Sequence, residues 1–264
     1  MVAPDELLAL AEAVARAAGA LLLDGLDQVR TDVQTKSTGT DMVSEMDRAA
    51  EALIVNGLLG ARPDDGMVGE EGTDRQGTSG VRWVVDPLDG TTNYLYGLAG
   101  FGVSIAAEHD GVAVAGVVLD VVRDELFAAT RGGGATRDGM PITVSTATDL
   151  GSALIATGFS YAADRRARQA AVLVEVLPRI RDIRRFGAAA VDLCAVACGR
   201  VDGYYEAGLA PWDLAAGGLI AAEAGAVLTD FDGGPVRAGA VVAAAPGIAT
   251  DLLDLVAAAG AADA

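Results

Sequence analysis

The sequence predicts a mixed α/β fold, and three observations carry that prediction. Two long helix-like stretches open the chain, a strand-rich middle follows from Gly66, and helices and strands alternate after Thr157. With 264 residues and 52% apolar side chains, the chain can bury a substantial core. The pattern divides it near residue 150 into an α+β half, 1–150, and an alternating α/β half, 151–264. No repeat or disordered linker separates the halves, so one compact unit is expected.

Each element has a local cause. Pro4, Asp5 and Glu6 open the first helix, because proline is tolerated in a first turn and acids favour the positive helix end; it should reach about Gly25. A second helix is expected after Ser44, whose hydroxyl can cap it, and should run to about Gly60. That leaves "TKSTGTDMVS" as a loop. The segments "MVGEE", "RWVVD", "GVSIAAE", "VAVAGVVLD" and "ELFAAT" read as strands split by "HDG" and "RD" turns. "RGGGATRDGMPI" is glycine-rich but lacks a following helix start and a Gly-Lys-Ser/Thr ending, so it reads as a long hairpin rather than a phosphate loop. Beyond Thr157 come a helix near Asp164 to Leu177, the strand "RDIRRF", a helix from Gly187 to Gly199 and the strand "DGYYE". A helix from about Asp213 to Ala224, the strand "VVAAA" and a last helix from Gly247 complete the chain.

Charge narrows the function. There are 19 basic and 37 acidic residues, a net charge of −18, so the overall field repels nucleic acid and anionic membrane surfaces. A small phosphate ester remains possible where cations line its site. The two cysteines, Cys194 and Cys198, would share one helix face and read as small buried side chains; the remaining ligands of a zinc pattern are missing. That usage fits a reducing cytoplasm. The N-terminus shows neither a signal-peptide pattern nor a membrane span, and His109, in an "EHDG" turn, reads as a surface residue.

"WVVDPLDGTTNYLYG", Trp83 to Gly97, starts apolar and then becomes densely polar. Asp-Pro and Asp-Gly both favour turns, so a chain reversal is one explanation. The other acids at element ends also have individual explanations. Asp213 can cap a helix, Asp47 can sit in a first turn, and Glu70 can be a solvated strand end. Taken with Asp41, Glu71, Asp86 and Asp89 they form a pattern, because strand ends and helix starts along one edge of an α/β sheet are where clefts form. Carboxylates converging there would repel one another unless a cation neutralises them, and all-oxygen ligation points to Mg²⁺, Mn²⁺ or Ca²⁺ rather than zinc.

Four blocks, "DMVSEMD" at Asp41 to Asp47, "GEE" at Gly69 to Glu71, "WVVDPLDGTTNYLYG", and "PWDLAAGGLIAAEAG" at Pro211 to Gly225, resemble the signature blocks of the inositol monophosphatase family in order. "RRFGAAAVDLC" and "GYYEAGLAPWD" resemble its substrate-side segments, so the resemblance runs from the first helix nearly to the C-terminus.

The resemblance implies the five-layer αβαβα sandwich of the inositol monophosphatase and fructose-1,6-bisphosphatase fold, a homodimer, and two or three Mg²⁺ per site, with Mn²⁺ as a substitute and Li⁺ as an inhibitor. Asp86 would bridge two metals; Glu70 and the Leu88 carbonyl would complete one site, and Asp89 with Asp213 the other. Gly90 and Thr91 would seat phosphate oxygens at a helix start. The Thr91 hydroxyl, bonded to Asp47, would position a metal-activated water, and Lys36 would assist from a loop near the metals. Glu206 and the Ala189 backbone would contact the alcohol part of the substrate. Glu45 and Met46 should point away from the metals.

The implied activity is Mg²⁺-dependent hydrolysis of a phosphate monoester, with inositol 1-phosphate as the leading substrate. Fructose 1,6-bisphosphate, histidinol phosphate and nucleotide phosphates are the alternatives. A bisphosphate or a nucleotide would call for an additional basic patch, for which Arg181, Arg184 and Arg185 are the candidates, though they can equally be structural. A non-enzymatic alternative is a binding partner of the transcription machinery.

Overall fold

A computed structural model describes residues 3–32, 39–236 and 239–263. The first half holds α1 (Pro4–Asp32), α2 (Gly39–Ala61), β1 (Gly66–Gly69), β2 (Asp74–Arg75), β3 (Val81–Asp89), α3 (Thr91–Leu95), β4 (Gly102–His109), β5 (Val112–Asp120), β6 (Glu125–Thr130), β7 (Gly134–Arg137) and β8 (Met140–Pro141). The second holds β9 (Leu154–Thr157), α4 (Ala163–Val176), β10 (Asp182–Arg184), α5 (Ala189–Ala197), β11 (Gly203–Leu209), α6 (Pro211–Glu223), β12 (Val227–Thr229), β13 (Gly239–Ala244) and α7 (Ala249–Ala258).

Eight strands form one sheet in the order β2-β1-β3-β4-β5-β6-β7-β8, antiparallel except for the β1–β3 pair. Five form the other, β10-β9-β11-β13-β12, in which β9 lies parallel to both its neighbours. On α1, Leu7, Ala11, Ala15, Ala18 and Leu22 make a buried stripe at helical spacing. With Ile54 and Leu58 of α2 it packs on Trp83, Val85 and Ile105, on one face of the larger sheet. Val84, Ala106 and Val118 point to the opposite face, as strand alternation requires, and meet α5 and α6. The far side of that helix pair meets Tyr204, Val241 and Ala243 of the smaller sheet, whose outer face carries α4 and α7. The layers therefore run αβαβα, as the resemblance implied. The middle layer is built of Ala189, Ala190, Ala216, Gly217 and Ala221, whose small side chains let two sheets approach one helix pair.

Several expectations need correction. The first helix runs to Asp32, beyond Gly25, and the second begins at Gly39, so Ser44 lies inside it rather than capping it. The spacing of Val43, Met46, Ala50 and Ile54 carries the helical period back through the segment read as a loop. The polar run after Trp83 does not reverse the chain either. β3 continues to Asp89, and its register with β4 slips between Asp86 and Asp89, placing Pro87 in a bulge where no ladder donor is needed. Gly187 and Asp213 are not first helical residues; α5 starts at Ala189 and α6 at Pro211.

Candidate active site

The bulge in β3 turns two aspartates toward the starts of two helices. Asp86 is almost wholly buried, and its Oδ1 accepts the Leu88 N–H at 3.0 Å, tightening the bulge. Asp89 accepts the Ala189 and Ala190 N–H groups at 3.1 and 2.7 Å, satisfying two otherwise unpaired donors at the start of α5. Asp213, in the first turn of α6, accepts the Ala210 N–H at 2.7 Å. One oxygen from each of Asp86, Asp89 and Asp213 lies within 4.8 Å of the others.

Glu70 follows β1, the parallel neighbour of β3, which brings its carboxyl beside Asp86. Its aim depends on Glu51, a residue the sequence reading did not single out. The buried Glu51 carboxylate accepts the Glu71 N–H at 2.9 Å, the Thr73 N–H at 3.1 Å and the Thr73 hydroxyl at 2.5 Å, locking the turn after β1. The absent side chain of Gly69 leaves room for this carboxylate, which a Cβ there would overlap. The available signal was an acid four residues after Asp47, in line with Ala50 and Ile54 on the apolar face of α2. Asp47 is itself buried, and its Oδ1 has no hydrogen-bond partner among the described residues.

This concentration of carboxyls shifts Asp47, Glu70, Asp86, Asp89 and Asp213 the same way. Burial, then Glu71, Glu70 and Glu51, pushes Asp47 up to about 8. Burial and Asp213 push Asp89 up to about 8 against the Ala190 N–H. Asp86 rises well above the carboxylate range through burial and the charges of Asp89, Glu70 and Asp213. Desolvation within the cleft raises Glu70 although its outer face meets solvent, and burial raises Asp213. Acids so placed resist ionising together unless positive charge arrives. The donor set is all oxygen, and Asp47 adds an unpaired buried oxygen, so these residues fit a hard divalent cation.

Beside the acids lies a cleft of about 300 Å³. Gly90, at φ 91° and facing the Gly100 carbonyl, starts α3; a Cβ there would lie 2.8 Å from that oxygen. Asn93 ties α3 to the opposite wall, its Nδ2 donating to the Gly100 and Phe186 carbonyls at 2.5 and 2.7 Å. The far end of the cleft is formed by Glu206, Arg185, Arg165 and the 158–161 segment. Glu206 accepts the Tyr204 hydroxyl at 2.5 Å; burial raises its carboxyl, while Tyr204 and Arg185 pull it back down. Below it, Asp192 is completely buried with neither oxygen in a normal hydrogen bond. Burial holds it well above the carboxylate range, the Gly187 N–H giving partial relief.

Glu70, Asp86, Leu88, Asp89, Gly90, Thr91, Ala189, Glu206 and Asp213 thus line one cleft. One expected contact is not made. The Thr91 hydroxyl donates to the Leu88 carbonyl at 3.2 Å rather than to Asp47, because a carbonyl three residues back in the same turn is within easy reach. The Ala189 N–H donates to Asp89. Lys36 falls outside the described residues. Of the three arginines considered as a basic patch, Arg181 donates to the Ser152 carbonyl and Arg184 pairs with Asp182, each at 2.6 Å, and only Arg185 reaches the cleft. Met46 packs on the core, and His109 is surface-lying beside Asp110. Among the described residues no helix is long and apolar enough to cross a membrane.

A five-layer molecule with an acid-lined cleft at a strand end and three helix starts defines a metal-dependent phosphatase. The chain belongs to the inositol monophosphatase family, whose sequence profile matches residues 3–260. An inositol-1-monophosphatase of Mycobacterium leprae is 46% identical over 270 residues, covering 95% of this chain and 93% of the relative. A protein of Escherichia coli K12 named Nus factor SuhB is 40% identical, covering 94% of each chain. The solved structure of Mycobacterium tuberculosis SuhB superposes with a TM-score of 0.86 at 40% identity, covering 98% of each chain.

Proposed function

We propose that the protein hydrolyses inositol 1-phosphate with Mg²⁺, as one unit whose two halves share the cleft. The single observation that carries this reading is the convergence of Asp86, Asp89 and Asp213 within 4.8 Å beside a cleft that ends in Glu206. Glu70, Asp86, Asp89, Asp213 and the Leu88 carbonyl would hold two or three ions, with Mn²⁺ able to replace Mg²⁺ and Li⁺ competing. When bound, such ions neutralise the carboxylates, stabilise a leaving oxygen and lower the pKa of water.

The chain's own groups supply positioning and proton handling. Gly90 and Thr91 offer N–H groups to phosphate oxygens at the start of α3. The Thr91 hydroxyl directs its proton to the Leu88 carbonyl, so its oxygen faces the attacking water as an acceptor. Asp47, whose Oδ1 is buried and unpartnered among the described residues, is assigned to the water side of the site and Lys36 to the phosphate side. Glu206 accepts hydroxyls of the alcohol part, which favours a polyol over a nucleotide. The homodimer and cytoplasmic location rest on family resemblance and cysteine usage.

Phosphate release from inositol 1-phosphate, with and without Mg²⁺, tests the reading directly. Metal-dependent release that is lost in Asp86→Asn is the expected result; a strong preference for fructose 1,6-bisphosphate would refute the substrate. A second reading, partnership with the transcription apparatus, draws on relatives named Nus factor. It predicts that Asp86→Asn abolishes turnover while cellular function persists.

A further inference from the structure

The alcohol end of the cleft is built on three glycines whose missing side chains are replaced by functional groups. A Cβ at Gly158 would overlap the Glu206 carboxylate, one at Gly187 the Arg185 guanidinium, and one at Gly208 would come within 2.6 Å of Arg165 Nη1. Glu206 therefore occupies a slot with the Gly158 backbone on one side. Its orientation within that slot has one short hydrogen bond behind it. Tyr204 lies two residues earlier on β11, on the same face, has no exposed surface, and donates its hydroxyl to Glu206 Oε2 at 2.5 Å.

We propose that Tyr204 is the positioning residue for substrate recognition: by occupying Oε2 of Glu206 it fixes the carboxylate in the Gly158 slot and leaves Oε1 to receive a hydroxyl of a polyol phosphate. This rests on the reading above that Glu206 faces the alcohol part. A carboxylate offers about four acceptor positions, and an unanchored one could rotate to share them with Arg165, Arg185 or water. Anchoring converts a general anion into an acceptor of fixed direction, and direction is what separates a polyol ester from an ester lacking hydroxyls. The tyrosine also favours the acceptor form of a buried acid, since its hydrogen bond opposes the effect of burial on Glu206. The phenol itself stays protonated, because burial beside Glu206 and Asp192 pushes it well above its usual range.

The test compares inositol 1-phosphate with phenyl phosphate, whose alcohol part carries no free hydroxyl, on wild type, Tyr204→Phe, Glu206→Gln and the double variant. Tyr204→Phe should raise KM for inositol 1-phosphate about tenfold, the effect of losing one hydrogen bond to a charged group, with a much smaller change in kcat. Selectivity for inositol 1-phosphate over phenyl phosphate should fall by a similar factor. Adding Tyr204→Phe to Glu206→Gln should cost little more than Glu206→Gln alone. Equal losses on both substrates, a loss confined to kcat, or full additivity would overturn the proposal. Wild type that cleaves phenyl phosphate but not inositol 1-phosphate would refute the substrate and leave Tyr204 to a second measurement. In crystal structures, the Glu206 carboxylate should leave the Gly158 slot in Tyr204→Phe; an unmoved carboxylate would overturn the proposal whatever the substrate.

Discussion

The two ends of the cleft hold acids in opposite ways. At the inner end Asp47, Glu70, Asp86, Asp89 and Asp213 face one another, and backbone N–H groups are their main compensation. At the outer end Glu206, with the buried Asp192 near it, has a tyrosine hydroxyl and two guanidinium groups beside it. One end must import its countercharge and the other carries its own. The first end should therefore respond more strongly than the second to mutation, chelation and pH.

The largest expected effect comes from breaking the inner end. Asp86→Asn should reduce turnover about 10³-fold or more, the scale of losing preorganised charge stabilisation, as read by phosphate release at saturating Mg²⁺. Chelation should expose the repulsion itself. In metal-free protein, Asp47 and Asp89 ionise near 8 when folded against an ordinary value of 3.8, so the folded state binds more protons between those limits. Stability is then greatest near the acid limit of that window and falls as pH rises through it. Melting temperatures measured in EDTA should decline from about pH 4 to pH 8, and Mg²⁺ should remove most of the decline. A flat profile in EDTA would break the contrast.

Support for Glu70 comes next in size. Glu51→Ala strands the Glu71 and Thr73 donors, and should cost about 1–3 kcal/mol by denaturant titration together with weaker metal binding. The smallest effect belongs beneath the outer end. Asp192, buried as a neutral acid, has asparagine as its isostere; Asp192→Asn should leave the melting temperature nearly unchanged below the ordinary carboxylate range and raise it progressively as the pH climbs from about 4 to 8.

Much of this was legible in the chain. Asp86, Asp89, Glu70 and Asp213 could be named because hydrophobic patterning stops at or beside each, so that an unexplained acid stands out, and because the blocks around them resemble a family signature. Long helices and hairpins were legible for the same reason. Glu51, Tyr204 and Arg165 were not, because each sits within a regular element and acquires its role only from what the fold places opposite. The strands "LIAT" and "VLT" were missed because they are short and their pairing partners lie far along the chain. The five layers came from family resemblance; periodicity alone could not say that the Ala-rich α5 and α6 fill the space between two sheets.

The bulged strand has a consequence for dynamics. Catalytic groups commonly ride on loops, where backbone amides exchange readily with solvent. Asp86 instead belongs to a strand flanked on both sides, β1 pairing through Val85 and β4 through Asp86. Its neighbours Val84 and Val85 should be among the last amides to take up deuterium, opening only when the molecule unfolds as a whole. Ligand capture at such a place is a matter of side-chain rotation and water displacement, and the backbone underneath behaves as bedrock.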